Sequence, residues 1–347
     1  MDVNSEDGKQ GLCLITQLPD DLLSLIYRKL FRVSHERSFR RTCRRFLYAA
    51  ILSCECLDDV KTSTVLRNSY NRCESIVLGE CLKRYMHFGS PPYMAALQLS
   101  FATITDNGLE TLTKYANKLL TNVSLIGCQN VTDTGISLLK QNCPQLRALK
   151  MFSCIKVVGV RSEQGFSSTL TYLEADSHVL YPNGLLSGGG LEYLQVYHCG
   201  YLNENQRRLA AIGCAAIGSG IAKNLKILTF SKLFFVMDDC IIMKISKGCP
   251  YLQELSFDCC SGIGLPDWVS IGSNCQNLER LHVNKSGDLC DRGLLALGNG
   301  CKLLSVLYMT DCPKVTSQGK ECFKIQRADV RILQIMGKEG FPTWTRV

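Results

Sequence analysis

Twenty cysteines and five histidines are the side chains of this 347-residue chain best suited to bind a metal or to act as nucleophiles. Zinc sites place such residues in close pairs such as Cys-x-x-Cys. No cysteine pair has that spacing, and the histidines are scattered at positions 35, 87, 178, 198 and 282. Nothing near any cysteine marks its thiol as activated. We therefore expect no metal site, no cofactor and no catalytic residue.

Two further features could indicate ligand chemistry. The glycine-rich runs 188–190 and 213–220 lack the strand–loop–helix setting of a phosphate-binding loop, and we expect turns there. A basic run is opposed only by Glu36 and consists of Arg28, Lys29, Arg32, Arg37, Arg40, Arg41, Arg44 and Arg45. We interpret it as a solvated helix face or as part of a docking module; an acidic protein partner, nucleic acid and nuclear import are alternatives. The net charge of +8 does not by itself indicate a nucleic-acid partner, and we expect none.

The expected compartment follows from what the sequence lacks. Its first residues do not form a basic start followed by an apolar stretch, as a secretory signal requires. The longest weakly polar run, 210–222, is shorter than the 20 or so residues that span a bilayer. We therefore expect a protein of the cytoplasm, the nucleus or both, with no membrane partner.

A nine-residue pattern recurs along the chain: Leu-x-x-Leu-x-Leu-x-x-Cys, with other apolar residues allowed. Its clearest copies start at Leu120, Leu146, Leu191, Leu252 and Leu304. Weaker copies start at Met94, Leu170, Leu225 and Leu278, and frayed copies at Cys73 and Val330. The starts from 94 to 304 are separated by 26, 26, 24, 21, 34, 27, 26 and 26 residues. A repeat of this length predicts a solenoid.

The cysteines support this repeat independently. Six of the twenty occupy the ninth position of a copy: Cys81, Cys128, Cys154, Cys199, Cys260 and Cys312. Four more lie three residues before a copy starts: Cys143, Cys249, Cys275 and Cys301. A small, readily buried thiol suits the bend at which the chain leaves a strand. We therefore expect free thiols in a reducing compartment rather than disulfides.

Each copy is followed by the start of a helix, as in Thr132-Asp133 before Gly135-Ile136. We therefore predict an α/β solenoid with parallel strands on the concave face and helices on the convex face. Agreement is poorer over 155–169 and 200–224, and a longer loop or helix is expected in the second stretch. The segment 73–336 resembles the cysteine-containing class of leucine-rich repeats, with about 9–11 repeats.

The N-terminal part carries a second pattern. Leu-Pro-Asp-Asp-Leu-Leu at 18–23 begins an amphipathic helix, and Cys-Arg-Arg-Phe at 43–46 lies in a second one. The stretch 18–52 resembles an F-box, the helical module that docks to a Skp-type adaptor, although Phe46 stands where Trp is commoner. The resemblance implies that these residues contact the adaptor: Leu18, Pro19, Asp20, Leu22, Leu23, Ile26, Leu30, Cys43 and Phe46.

The predicted organisation is a disordered lead (1–15), a small all-α F-box module (16–55), a connector (56–72), the solenoid (73–336) and a C-terminal tail (337–347). In each strand, positions one, four and six should face the core, and positions three, five and seven the concave side. From these positions we predict a substrate-binding set: Lys150, Phe152, Tyr172, Glu174, Asp176, Tyr193, Gln195, Tyr197, Glu254, Asp258, Arg280 and His282. Clustered aromatic rings are typical of interaction hot spots, although exposed strands also carry tyrosine well.

The resemblance implies a non-catalytic substrate receptor of a Skp–cullin–F-box ubiquitin ligase, with the adaptor, the cullin and a protein substrate as partners. As a hypothesis, the acidic and aromatic residues prefer a substrate segment that carries basic residues. The main alternative is a repeat scaffold whose N-terminal helices only cap the solenoid. A receptor for a small signalling molecule would need a pocket in the concave surface, and a hydrolase or transferase has no supporting set of residues.

Overall fold

The computed structural model describes residues 96–100, 104–116, 120–158, 169–180, 186, 188–198, 203–233, 241–285 and 288–333. Within these ranges ten strands form one parallel sheet in chain order. The strands are β1 (Ala96–Ser100), β2 (Asn122–Ile126), β3 (Ala148–Phe152), β4 (Tyr172–Asp176), β5 (Tyr193–Tyr197), β6 (Ile227–Ser231), β7 (Glu254–Asp258), β8 (Arg280–Asn284), β9 (Val306–Thr310) and β10 (Arg331–Leu333). Each begins one or two residues after a predicted repeat start, which confirms the repeat from Met94 onward.

Helices follow most of the strands. They are α1 (Asp106–Ala116), α2 (Asp133–Asn142), α3 (Glu204–Ala216), α4 (Ile241–Gly248), α5 (Leu265–Asn274), α6 (Asp291–Gly300) and α7 (Ser317–Gln326). A π-helical turn, Ile217–Ile221, extends α3, so the longer unit expected within 200–224 is confirmed. The shortest repeat differs, because a 3-10 turn (Ser177–Val179) follows β4.

The register places equal repeat positions side by side. Leu149 of β3 is paired with Leu173 of β4, and Leu173 with Leu194 of β5. Because side chains alternate along a strand, the apolar positions all point from the sheet to the helices. Leu149, Leu173 and Leu194 are fully buried, and they belong to one continuous core. A single repeat has only one apolar face to bury, so stacking of neighbours forms the core.

The cysteine at position nine connects each repeat to the previous one. Its thiol donates to the backbone carbonyl of position six one repeat back, over 3.7 Å from Cys128 to Leu99, 3.6 Å from Cys154 to Leu125 and 3.5 Å from Cys260 to Phe230. The second set of cysteines does the same on the helical side, where Cys249 and Cys301 donate to helical carbonyls of the previous unit. Each buried thiol therefore finds a hydrogen-bond acceptor in the neighbouring repeat.

A second contact explains the Thr-Asp-x-Gly sequence. The Asp291 carboxylate at the start of α6 accepts bonds from the Thr316 backbone N–H (2.8 Å) and hydroxyl (2.7 Å) of the next repeat. Asp106 binds Thr132 in the same way. A Cβ atom on Gly319 would overlap the Asp291 carboxylate. Glycine at this position is therefore required by the aspartate of the preceding repeat.

In the part of the chain that the structure describes, no helix is long and apolar enough to cross a membrane. The predicted lead (1–15), F-box module (16–55), connector (56–72) and tail (337–347) lie outside the described residues, as do the first frayed copy at 73 and residues 159–168.

Candidate functional site on the concave face

The strand side chains that face away from the core form three rows across the sheet. The parallel register sets position three of one strand beside position three of the next, as Tyr172 beside Tyr193, and likewise for positions five and seven. Neighbouring strands lie about 4.8 Å apart, so side chains in one row are within contact distance. All twelve predicted substrate-binding residues lie in these rows on β3, β4, β5, β7 and β8.

Four rings form what we call the aromatic patch: Phe152, Tyr172, Tyr193 and Tyr197. Tyr172 and Tyr193 stack with centroids 4.1 Å apart and planes 4° apart. Phe152 and Tyr197 meet edge to face at 4.6 Å and 86°. Each such pair contributes about 0.5–1.5 kcal/mol beyond the burial of its area. The rings are thus held in place before any partner binds, which lowers the entropic cost of binding.

The acidic residues beside the aromatic patch are already engaged. The Glu174 carboxylate is 2.9 Å from the Lys150 ammonium and accepts a hydrogen bond from the Tyr172 hydroxyl. Asp176 is only 3% exposed and accepts a bond from the Ser153 backbone N–H at 2.6 Å. The structure therefore brings these predicted residues together, but the surface that they present is mainly aromatic.

The tyrosines of the patch are neutral hydrogen-bond donors at physiological pH. Burial and the charge of Glu174 raise the pKa of Tyr193 to about 12. Burial, followed by the hydrogen bond to Glu174, raises the pKa of Tyr172 further, and burial also raises that of Tyr197. The Tyr193 hydroxyl donates to Gln195 Oε1 at 2.8 Å. The patch therefore offers ring faces and fixed hydroxyls to a partner.

A second cluster lies on β7, β8 and β9. The guanidinium of Arg280 is 2.7 Å from the Glu254 carboxylate, and His282 Nε2 is 3.7 Å from the other Glu254 oxygen. Burial lowers the pKa of His282, while Glu254 opposes this shift. The His282 ring stacks on Tyr308 at 4.3 Å. Tyr308 was absent from the predicted site, although its concave position in the repeat could have identified it.

Between the two clusters the concave face carries small hydroxyl residues. Thr229 and Ser231 lie on β6 and Ser256 on β7, and none was predicted as a site residue. Beside them, Asp258 Oδ1 accepts bonds from Asn284 Nδ2 at 2.7 Å and from the Cys259 thiol at 3.5 Å. We call Thr229, Ser231 and Ser256 the hydroxyl trough.

A cavity of about 530 Å³ lies at the amino-terminal ends of the central strands rather than among these rows. Its lining includes Glu192, Lys226 and Tyr251, which precede β5, β6 and β7. Lys226 and Glu192 form an ion pair of 3.0 Å there. This cavity is therefore separate from the predicted substrate-binding set.

The described residues favour binding over bond chemistry. Burial raises the pKa of the thiols of Cys143, Cys249 and Cys275 to about 12, so these cysteines are poor nucleophiles. Within the described ranges, no group of three or more histidine, cysteine or acidic residues could hold a metal ion. The predicted adaptor-binding residues, from Leu18 to Phe46, lie outside the described residues.

Sequence comparison identifies the family. F-box/LRR-repeat protein 12 of Arabidopsis thaliana is 33% identical over 314 residues, which are 73% of this chain and 75% of that protein. This chain belongs to the F-box/leucine-rich-repeat (F-box/LRR) family. F-box protein MAX2 homolog A of Petunia hybrida is 38% identical over 80 residues, which are 22% of this F-box/LRR chain and 11% of that protein. No protein-family model matches the chain.

Two solved structures align with this F-box/LRR protein over most of its length. In the crystal structure of the yeast Rad7 and Elc1 complex, one chain aligns over 96% of this chain and 98% of its own length, at 15% identity and a TM-score of 0.43. An internalin from Listeria monocytogenes covers 80% of this chain and 75% of its own, at 14% identity and a TM-score of 0.36. Both TM-scores are below 0.5, so neither likeness bears on function.

Proposed function

We propose that this F-box/LRR protein is the substrate-recognition subunit of a cullin-based ubiquitin ligase. In this proposal residues 16–55 dock to a Skp-type adaptor, the adaptor links the protein to a cullin, and the concave face holds a protein substrate. Membership of the F-box/LRR family is the observation that carries the proposal. The Leu18-Pro19-Asp20 start and the Cys43-Arg-Arg-Phe46 sequence support the docking step.

The protein itself makes and breaks no bond in this mechanism. It holds substrate lysines near the charged ubiquitin-conjugating enzyme, which raises their effective concentration at the thioester. The aromatic patch supports the binding role, because rings that are stacked before binding lose little freedom on contact. The buried thiols, whose pKa values are raised, agree with a non-catalytic role.

The test is co-purification of the full chain with a Skp-type adaptor. We expect a stable complex with the wild type and its loss when Leu18, Pro19 and Leu22 are replaced together by alanine, because the motif would lose its apolar contacts. A matched control replaces Leu12, Leu14 and Ile15, three nearby apolar residues outside the F-box motif, and should retain the complex.

The alternative, a scaffold whose N-terminal helices only cap the solenoid, gives a different pattern. The wild type would then be folded, as judged by circular dichroism, but would not bind the adaptor. Equal adaptor binding by both triple variants would also contradict docking through the Leu18-Pro19 motif.

A further inference from the structure

The concave carboxylates differ in how far their charge is neutralised. Glu174 is paired with Lys150, and Glu254 with Arg280. Asp258 is half-buried, and its Oδ1 binds only neutral donors, the Asn284 amide and the Cys259 thiol. In the described part of the chain no Lys, Arg or His forms an ion pair with Asp258, and its Oδ2 accepts no hydrogen bond. Asp258 is therefore a concave carboxylate with no cation partner among the described residues and with one available oxygen.

Two lysines lie near this position and must be considered. Lys232 and Lys285 follow β6 and β8 at the repeat position that Cys259 occupies after β7, and both are exposed. The Lys232 backbone N–H donates to the Asp258 carbonyl at 2.7 Å. Neither ammonium group forms an ion pair with the Asp258 carboxylate. Both lysines therefore border the position without binding the carboxylate, although their charges reach the Cys259 thiol beside it.

The hydroxyl trough lies directly beside Asp258. Ser231 of β6 is paired with Asp258 of β7, and Thr229 with Ser256. Ser256 is 3% exposed, and among the described residues its hydroxyl has no hydrogen-bond partner, nor have those of Thr229 and Ser231. These hydroxyls are therefore available to bind a polar group of a ligand in place of water.

Larger rings border the trough on both sides. Tyr193 and Tyr197 stand on β5, and the stacked pair His282 and Tyr308 begins on β8. From β5 to β8 is about 14 Å, three strand spacings, which admits an extended segment with one long side chain pointing down. Tyr197, Ser231 and Asp258 are successive members of one row, so the phenol and the carboxylate lie two strands apart on the same face.

We propose that the hydroxyl trough and Asp258 bind an arginine side chain presented by an extended segment of the substrate. This inference rests on the proposed substrate-receptor function and moves the basic-residue preference from Glu174 and Asp176 to Asp258. A guanidinium carries five donors in a planar fork, which suits a carboxylate oxygen together with unpartnered hydroxyls. The tyrosine faces of β5 add cation–π attraction.

The test begins by panning a phage library of random nonapeptides on the full-length chain. We expect arginine to be enriched among the bound clones. An enriched peptide is then made in fluorescent form together with a twin in which citrulline, which has the same shape but no charge, replaces arginine. The Kd of the citrulline twin, measured by fluorescence anisotropy, should be higher by a factor of about ten or more, because a charge-assisted hydrogen bond is lost.

Matched variants locate the site. Asp258→Asn should abolish the preference for arginine over citrulline, whereas Glu174→Gln should preserve it. Ser256→Tyr fills the trough and should prevent binding, whereas Ser124→Tyr, in the same row on β2, should not. Thermal unfolding and adaptor co-purification of each variant show that the fold and the docking step are intact.

Three outcomes would overturn the inference: no arginine enrichment, equal binding of the citrulline twin, or loss of the preference in Glu174→Gln rather than in Asp258→Asn. None of these would affect the proposed ligase function, which depends on the adaptor experiment. Conversely, if the wild type did not bind the adaptor, the protein would not be a ligase substrate receptor, even if it bound the peptide.

Discussion

The repeats around β6 to β9 and those around β3 to β5 share one repeat sequence but differ in regularity. In the first region the N–H that follows a strand donates to a carbonyl at the end of the next strand, as Lys232 to Asp258, Cys259 to Asn284 and Lys285 to Thr310. The backbone at these positions has φ between 50° and 59°, a left-handed conformation that the repeated bonds hold in place. Regular repeats thus follow one bonding rule.

The irregular region breaks this rule at β4. The Ser153 N–H donates to the Asp176 side chain, and a 3-10 turn rather than a helix follows β4. Polar side chains are consequently buried there, including Ser177 and His178. All four rings of the aromatic patch belong to β3, β4 and β5. The irregular repeats thus carry the aromatic patch, whereas the regular repeats carry the hydroxyl trough and Asp258 on a more uniformly packed core.

The largest expected difference between the regions is in core packing. Trp268 of α5 is fully buried in the regular region and packs edge to face on Phe257 at 5.6 Å. Trp268→Ala should lower the free energy of unfolding by about 3–5 kcal/mol, because it leaves a cavity between two repeats. Tyr172→Ala should cost less, because its ring is only partly buried and its removal leaves no enclosed cavity. Urea unfolding followed by circular dichroism compares the two.

Trp268→Phe is the control for cavity formation. It keeps most of the apolar volume and removes an indole N–H that is buried without a hydrogen-bond partner among the described residues. It should therefore cost clearly less than the alanine variant. Equal losses for Trp268→Ala and Tyr172→Ala would contradict the difference in packing between the buried core and the aromatic patch.

The repeat period predicted both strand positions and several contacts. Lys150 and Glu174 hold the same repeat position in successive copies, as do Tyr172 and Tyr193, so their pairing follows from the period. The interval of 21 residues between the starts at Leu170 and Leu191 already left too little chain for a full helix.

Other contacts depend on local detail that a period does not contain. Phe152 and Tyr197 lie two strands apart and meet across Asp176, whose side chain is buried and turned towards the Ser153 N–H. Likewise, the sequence did not distinguish Asp258 from Glu174 as the carboxylate without a cation, because both occupy concave positions. That distinction depends on which neighbours actually form ion pairs.

The next largest expected difference between the regions is in how the free energy of unfolding depends on pH. Burial lowers the pKa of His178 to about 4, and His198 contributes to this shift, while a backbone contact with Val157 opposes it. An unfolded histidine has a pKa of about 6.5, so between pH 6.5 and pH 4 the unfolded chain binds a proton that the folded chain does not. The free energy of unfolding should therefore fall as the pH falls through this range, by about 2 kcal/mol between pH 6.5 and pH 5.

His178→Asn should flatten this dependence, whereas His282→Asn should change it less, because Glu254 opposes the lowering of the pKa of His282. Urea midpoints at pH 7 and pH 5 provide the measurement. Hydrogen exchange should place the acid-induced opening at β4 and β5. An unchanged pH dependence in His178→Asn would show that the irregular region is not the acid-sensitive one.

The smallest expected effect tests the contact between Asp291 and Thr316 of successive repeats through a double-mutant cycle. Asp291→Ala removes the acceptor of two bonds from Thr316 and should cost about 1–2 kcal/mol. Gly319→Ala should also destabilise the wild type, because the new methyl group displaces the Asp291 carboxylate from Thr316.

In the Asp291→Ala background no carboxylate remains to be displaced, and alanine is the better helix former by up to about 1 kcal/mol. Because the Cβ of residue 291 remains 2.9 Å from the new methyl group, Gly319→Ala should then cost clearly less than in the wild type, a difference measurable by urea unfolding. Additive losses would mean that Gly319 is required for a reason other than Asp291, and the aspartate would no longer account for glycine in the repeat.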